Sequence, residues 1–357
     1  MDFTLTLINS EEGKQVAYQG NQKRISLATF PSTKSNGDYK APTHMIVHHT
    51  AGPNNDPDPA ARIRSIYFFH TVTRGWGDIG YNAIIGSDGK IYEGRHGKDG
   101  EILTNGVVGA HVYSFNYHTF GVSMMGNYDE AKLPKHMKKP LVNLLAYVAS
   151  LNQIDPLATR DYIRHHSYQD ANVPKVDPNI PTLTGHGLLP RTSTSCPGQD
   201  LKAHLPELRR QTAKKLTPKQ IIVDNRSTKN VRIGQWNTQA QKSSKYNDGY
   251  EYSSEGKGSH QFVWNFRLPV SGTYRVFVWY PDEIGQATNA PYTIYTKNGA
   301  VTKEVNQREN GGTWVEIGSY EFAFGLNKII LSNNANGPVI ADAIKLEPVS
   351  SDDEEEV

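Results

Sequence analysis

MIVHHTAG, residues 45–52, runs apolar and β-branched residues straight into two adjacent histidines and closes on a glycine. Bounded by Pro42 and Gly52, it predicts a buried strand. Side chains alternate along a strand, so His48 and His49 point to opposite faces and only one of them can address a given site. Working outward, Asp56-Pro-Asp-Pro leads into AARIRSIYFFHTV, where Ile63, Ile66, Tyr67 and His70 recur at helical spacing behind an N-terminal proline signal. YNAII and KIYEGR flank a Ser-Asp-Gly turn and predict a hairpin, FGVSMMGNY (120–128) a further short strand, and PLVNLLAYVASLNQ an amphipathic helix. A last helix is expected over about Gly198 to Lys215, with Pro218 marking a boundary. Interleaved strands and helices of this kind make an α/β domain.

From Gln220 onward the pattern changes. IIVDN, QFVWNFRLP, TYRVFVWYP, YTIYTK, TWVEIGSYEF, NKIILS and IADAIKLEP alternate with period two between Gly, Asn and Pro turns, which predicts a separate all-β sandwich. The chain of 357 residues exceeds the size at which one core stops growing, in keeping with two domains. The expected organisation is an N-terminal strand and arm over 1–40, an α/β domain over 41–217, the sandwich over 218–349 and an acidic tail, SDDEEEV, within 350–357.

Composition narrows the function. Residues 1–220 hold 25 Lys/Arg against 19 Asp/Glu, and the remainder 13 against 17, so the basic excess is small and dispersed. That argues against nucleic acid, which needs a clustered basic face. Lys135, Lys138 and Lys139 are expected to decorate a helix end. No run reaches the roughly 18–20 apolar residues of a membrane span, and the N-terminus lacks the basic-then-apolar layout of a secretory signal. A single cysteine, Cys196, excludes an intrachain disulfide.

That cysteine lies in TGHGLLPRTSTSCPGQDL (184–201), ten residues after His186. Two imidazoles and one thiolate form a three-ligand set that leaves a fourth tetrahedral position open, the arrangement of a catalytic zinc site; a structural site fills all four. Such an ion polarises a carbonyl and activates water near neutral pH, which suits amide hydrolysis.

IVHHTAG, GWGDIGYNAIIGSDGKIYEGR, GAHVYSFNYHTFGVSMMGNY and GHGLLPRTSTSCPG, in that order, resemble the N-acetylmuramoyl-L-alanine amidases, the zinc amidase family that includes phage lysozyme-type amidases and peptidoglycan recognition proteins. The resemblance covers about residues 40–215. It implies a mixed central sheet flanked by helices, Zn2+ held by His48, His186 and Cys196, Tyr81 and Thr194 as catalytic neighbours of the metal, and His111 on the substrate groove. It also implies hydrolysis of the amide between N-acetylmuramic acid and L-alanine in peptidoglycan, in the cell wall or outside the cell, with no membrane or nucleic-acid partner. A wall-binding protein on the same fold without turnover is the alternative, and a cytoplasmic amidase recycling wall fragments a third. This chain departs from the common pattern in its longer path from the second histidine to the cysteine, which bears most on Thr194. Glu93, after the hairpin turn, is not assigned as a base. FRLPVSGTYRVFVWYP and the segment from QRENGG to KLEP resemble golvesin-type β-sandwich modules. By that analogy Trp236, Tyr250, Tyr252 or Trp314 stack on glycans or belong to the core.

Overall fold

The computed structural model describes residues 39–95, 103, 105–166, 168, 173–281 and 285–349. The chain divides between Leu216 and Thr217 into two compact units. The arm expected over 1–40, apart from Tyr39 and Lys40, and the acidic tail lie outside the described residues.

In the first unit β1 (His44–His49), β2 (Ala83–Ile85), β3 (Ile91–Glu93), β4 (Thr119–Met124) and β7 (Leu183–Gly185) form one sheet in the order β3-β2-β4-β1-β7. β1 pairs parallel with both β4 and β7, β2 pairs parallel with β4, and β3 closes the edge antiparallel. All six residues of β1 are buried, as a central parallel strand requires. The helices are α1 (Pro59–Phe68), α2 (Lys135–Asn152) and α3 (Gln199–Leu216). α1 opens on Asp58, whose carboxylate accepts from the Ala61 N–H at 2.9 Å, with Pro59 at the first helical position. It runs on as a π-helical turn over Phe69–Thr73, an uncommon geometry that often accompanies functional sites.

α2 buries Leu141, Leu144, Leu145 and Val148, and α3 buries Leu201, Leu205 and Leu208. Lys135, Lys138 and Lys139 fall in the first two turns of α2, the end where the helix dipole disfavours cations. Lys138 is compensated across the helix pair by Glu207, 2.5 Å away.

An element without a counterpart among the expected strands is a two-stranded sheet of β5 (Thr159–Ile163) with β6 (Val176–Pro181). Behind it Tyr162 and Ile180 pack with Ile46, Val112, Phe115 and Leu189. Asp177 receives Arg164 at 2.6 Å and Arg191 at 2.5 Å, and the Arg164 and Asp177 side chains are each 4% exposed. Removing one partner of a buried pair strands the other charge. Asp177→Ala is therefore expected to destabilise the first unit by about 3 kcal/mol or more, read as a lowered denaturant midpoint of its transition.

The second unit is all antiparallel. β8 (Ile221–Asp224), β13 (Gly272–Trp279), β16 (Val315–Phe322) and β19 (Ala343–Pro348) form a four-stranded sheet, in the order β16-β13-β19-β8. β9 (Val231–Ile233), β12 (Gln261–Leu268), β14 (Ala290–Thr296), β15 (Gly299–Val305) and β17 (Gly325–Ser332) form a five-stranded one, and β10 (Asn237–Gln239), β11 (Tyr250–Ser253) and β18 (Val339–Ala341) a three-stranded one. The core draws Phe262, Trp264, Tyr292 and Leu331 from the five-stranded sheet and Val276, Phe322 and Leu346 from the four-stranded sheet. Tyr250 is core, and Trp236 and Tyr252 pack against that core. Trp314 instead joins Tyr246 and Trp279 in a half-buried trio with ring centroids 5.2–5.6 Å apart.

Candidate metal centre

Three parallel strands carry the site. His48 lies near the C-terminal end of β1, opposite Ser123 of β4, and His186 follows β7 directly in a 3₁₀ turn over His186–Leu188. Cys196 arrives from the loop ahead of α3, joined to Pro197 by a cis peptide bond. One ligand atom from each of His48, His186 and Cys196 lies within 4.8 Å of the others. The Cys196 Sγ to His48 Nδ1 distance is 3.6 Å. Tetrahedral zinc with bonds of about 2.0–2.1 Å to nitrogen and about 2.3 Å to sulfur has an N···S edge of about 3.5 Å, so the residues fit the ion.

The long path from His186 to Cys196 closes on itself. The Gly187 N–H donates to the Cys196 carbonyl at 2.7 Å, and the Thr192 hydroxyl donates to the carbonyls of His186 (3.2 Å) and Leu189 (2.7 Å). A side chain at 187 would meet the Thr194 and Cys196 carbonyl oxygens at 2.4 and 2.6 Å, so glycine is what lets the loop fold back onto the histidine. The ten-residue path is thus taken up beside the candidate ligands, whose donor atoms stay within 4.8 Å of one another.

Burial sets the protonation of the donors. It holds His48 well below the ordinary imidazole range, with His111 and His186 adding to the effect. His186 is pushed down to about 4, chiefly by burial, with His49 and Lys202 contributing. Both imidazoles are accordingly neutral at pH 7 and offer lone pairs. Burial pushes the Cys196 thiol up to about 12, so a cation is what would hold it as thiolate.

Tyr81 stands beside the triad, its ring centroid 5.3 Å from that of His48 and 5.6 Å from that of His70. Burial, reinforced by Cys196, pushes its hydroxyl up to about 12 and keeps it a donor. Thr194 is exposed; its hydroxyl oxygen accepts from the Cys196 N–H at 3.2 Å. His111 is 8% exposed and stands behind His48, Nδ1 to Nε2 at 3.0 Å. It is a neighbour of the candidate ligand His48 and has little open surface. His49 faces away: its Nδ1 accepts from the Tyr128 N–H at 3.2 Å.

A cleft of about 650 Å³ opens from His186 and Thr194, walled by Tyr113, Arg164, Tyr168 and Arg191. Arg164, Tyr168 and Arg191 are not among the residues singled out from sequence, because the small sheet that carries or flanks them leaves no strand pattern to read. Tyr113, 85% exposed, stands on the cleft wall with its ring 5.3 Å from that of Tyr168.

Residues 38–199 match the N-acetylmuramoyl-L-alanine amidase family, and residues 221–348 match the family of the Golvesin C-terminal domain. The chain carries an amidase-family domain followed by a golvesin domain. It is 31% identical to Peptidoglycan-recognition protein LB of Drosophila melanogaster over 150 residues, 41% of this chain and 60% of that protein. It is 44% identical to the N-acetylmuramoyl-L-alanine amidase of Homo sapiens over 91 residues, 24% of this chain and 14% of that one. To the xanthan lyase of a Bacillus species it is 31% identical over 132 residues, 35% of this chain and 14% of the lyase. The chain therefore spans less than two thirds of each relative. Within the amidase domain all three candidate ligands fall inside the matched segment.

Proposed function

We propose that the amidase domain is a zinc-dependent hydrolase of the amide between N-acetylmuramic acid and L-alanine in peptidoglycan, acting in the cell wall or outside the cell. The observation that carries this reading is the convergence of His48, His186 and Cys196 within 4.8 Å, beside a protonated Tyr81 and at the end of a cleft. Zinc held by these three residues would supply Lewis acidity to the amide carbonyl and to a water nucleophile.

The remaining work falls to the chain itself. Tyr81 keeps its proton at neutral pH and donates a hydrogen bond to the oxygen on which charge develops, as a preorganised donor should. Thr194, exposed on the cleft wall, offers a second hydroxyl to the same region. The cleft walls orient the glycan and peptide on either side of the bond, so that binding energy goes into position. Among the described residues no helix is long and apolar enough to cross a membrane.

The test is incubation of the purified chain with insoluble peptidoglycan. New L-alanine amino termini are expected without new reducing sugar ends; a chelator should stop their release and Zn2+ restore it. Tight wall binding with stoichiometric zinc and no release would instead favour a non-catalytic recognition protein.

A further inference from the structure

His111 lies in a slot that two glycines keep open. A side chain at Gly121 would meet the His111 ring at 2.5 Å, and one at Gly109 would meet it at 2.6 Å. Its backbone is fixed as well, since the N–H groups of His111 and Val112 donate to the Asn116 side-chain oxygen at 2.8 and 2.9 Å. The ring therefore has one place to go, between His48 on one side and Thr119 on the other.

The direction of the hydrogen bonds along this line follows from its far end. The Thr119 hydroxyl has one proton, and it donates to backbone carbonyls, Phe115 at 2.5 Å and Asn116 at 3.1 Å, neither of which can donate in return. Towards His111 the Thr119 oxygen can then only accept, which places the His111 proton on Nε2, 3.1 Å away. A neutral imidazole has one N–H, so His111 Nδ1 is an acceptor. Its neighbour at 3.0 Å, His48 Nε2, must carry a proton. His48 is left with its lone pair on Nδ1, the atom 3.6 Å from Cys196 Sγ.

We infer that His111 and Thr119 act as positioning residues which fix the tautomer of His48, so that the Phe115 carbonyl decides, through two side chains, that Nδ1 is the nitrogen presented to a metal. The inference rests on the zinc reading for its purpose, but the tautomer exists in the metal-free protein. Outer partners of metal-binding histidines work in this way, orienting the ring and selecting the ligating nitrogen, at about 10–100-fold in metal affinity when lost.

The test uses the full chain with three substitutions. Thr119→Val keeps the shape and removes the acceptor without touching His48; Thr119→Ser keeps the hydroxyl; His111→Leu removes the ring nitrogens. In metal-free protein, ¹⁵N NMR of the imidazoles should show the His48 proton on Nε2 in wild type and Thr119→Ser, and a mixture of tautomers in Thr119→Val and His111→Leu. Zinc affinity, measured by competition with a chelating dye, should fall about 10–100-fold in the latter two and stay within about threefold in Thr119→Ser. A wild-type His48 protonated on Nδ1, or a Thr119→Val protein with unchanged tautomer and unchanged zinc affinity, overturns the inference. Failure of the wild-type protein to bind zinc would instead overturn the proposed function and leave the tautomer measurement standing.

Discussion

Cys196→Ala is expected to abolish release of L-alanine termini from peptidoglycan while leaving the protein folded. Losing one of three ligands removes Lewis-acid stabilisation worth several kcal/mol; about 4 kcal/mol corresponds to about a 10³-fold fall in kcat/KM. Apart from the stabilisation that a bound ion would itself supply, the structural cost should be small. Cys196 makes only long sulfur contacts, to His48 Nδ1 at 3.6 Å and the His49 carbonyl at 4.0 Å, and the loop that carries it is held by backbone groups. The measurement pairs kcat/KM on a defined muropeptide with zinc content and the unfolding midpoint. Full activity of the variant would sink the metal mechanism. A loss of activity with full zinc content would move the essential role of the sulfur away from metal binding.

The second large effect belongs to the other domain. Asp342, at the junction of β18 and β19, is fully buried. One carboxylate oxygen accepts from the Tyr246 N–H at 2.9 Å and the other has no hydrogen-bond partner. Burial pushes its pKa up to about 8; the Tyr246 N–H pulls the other way, Asp224 adds to the rise and Lys245 opposes it. In the unfolded chain this carboxyl would lose its proton near its ordinary value of 3.8. Between about pH 4 and pH 8 the folded state thus holds a proton that the unfolded state has lost, and stability falls as pH rises through that window. The contribution is complete below about pH 4 and gone above about pH 8. At about 1.4 kcal/mol per pKa unit the full swing has an upper bound of about 6 kcal/mol, reduced by any relaxation around the charge. The expected result is a golvesin-domain melting temperature that drops by more than about 5 °C from pH 5 to pH 8, with Asp342→Asn showing a much flatter profile. Equal slopes in the two proteins would remove Asp342 as the cause.

Much of the architecture can be read from one dimension because its signals are local. β1 is built on an unbroken apolar run, and the period of two is enough by itself to separate His48 from His49. The cleft is less legible. β5 is exposed at four of its five residues and β6 holds Pro178 and Pro181, so neither shows the alternation by which a strand is recognised. The two guanidiniums that share Asp177 come from residues 164 and 191, and nothing in either local stretch announces the other. His111 illustrates a different limit. Its motif resembles a substrate-groove position, yet Gly109 and Gly121 let the ring sink behind His48. The glycines are visible in the sequence, but what they make room for depends on the register of β4 against β1.

The span between the first and last members of the triad has a consequence for folding. His48 and Cys196 are 148 positions apart in a chain with one cysteine, so nothing covalent ties the strand to the loop. A cation gripping both would act as a removable cross-link around nearly the whole amidase domain. An ion that binds the folded chain and leaves on unfolding stabilises it by mass action, about 2.7 kcal/mol at a hundred times its dissociation constant. The centre would then serve as a clasp as well as a reaction site, and depletion of the ion would loosen the domain at the same time as it silenced the chemistry.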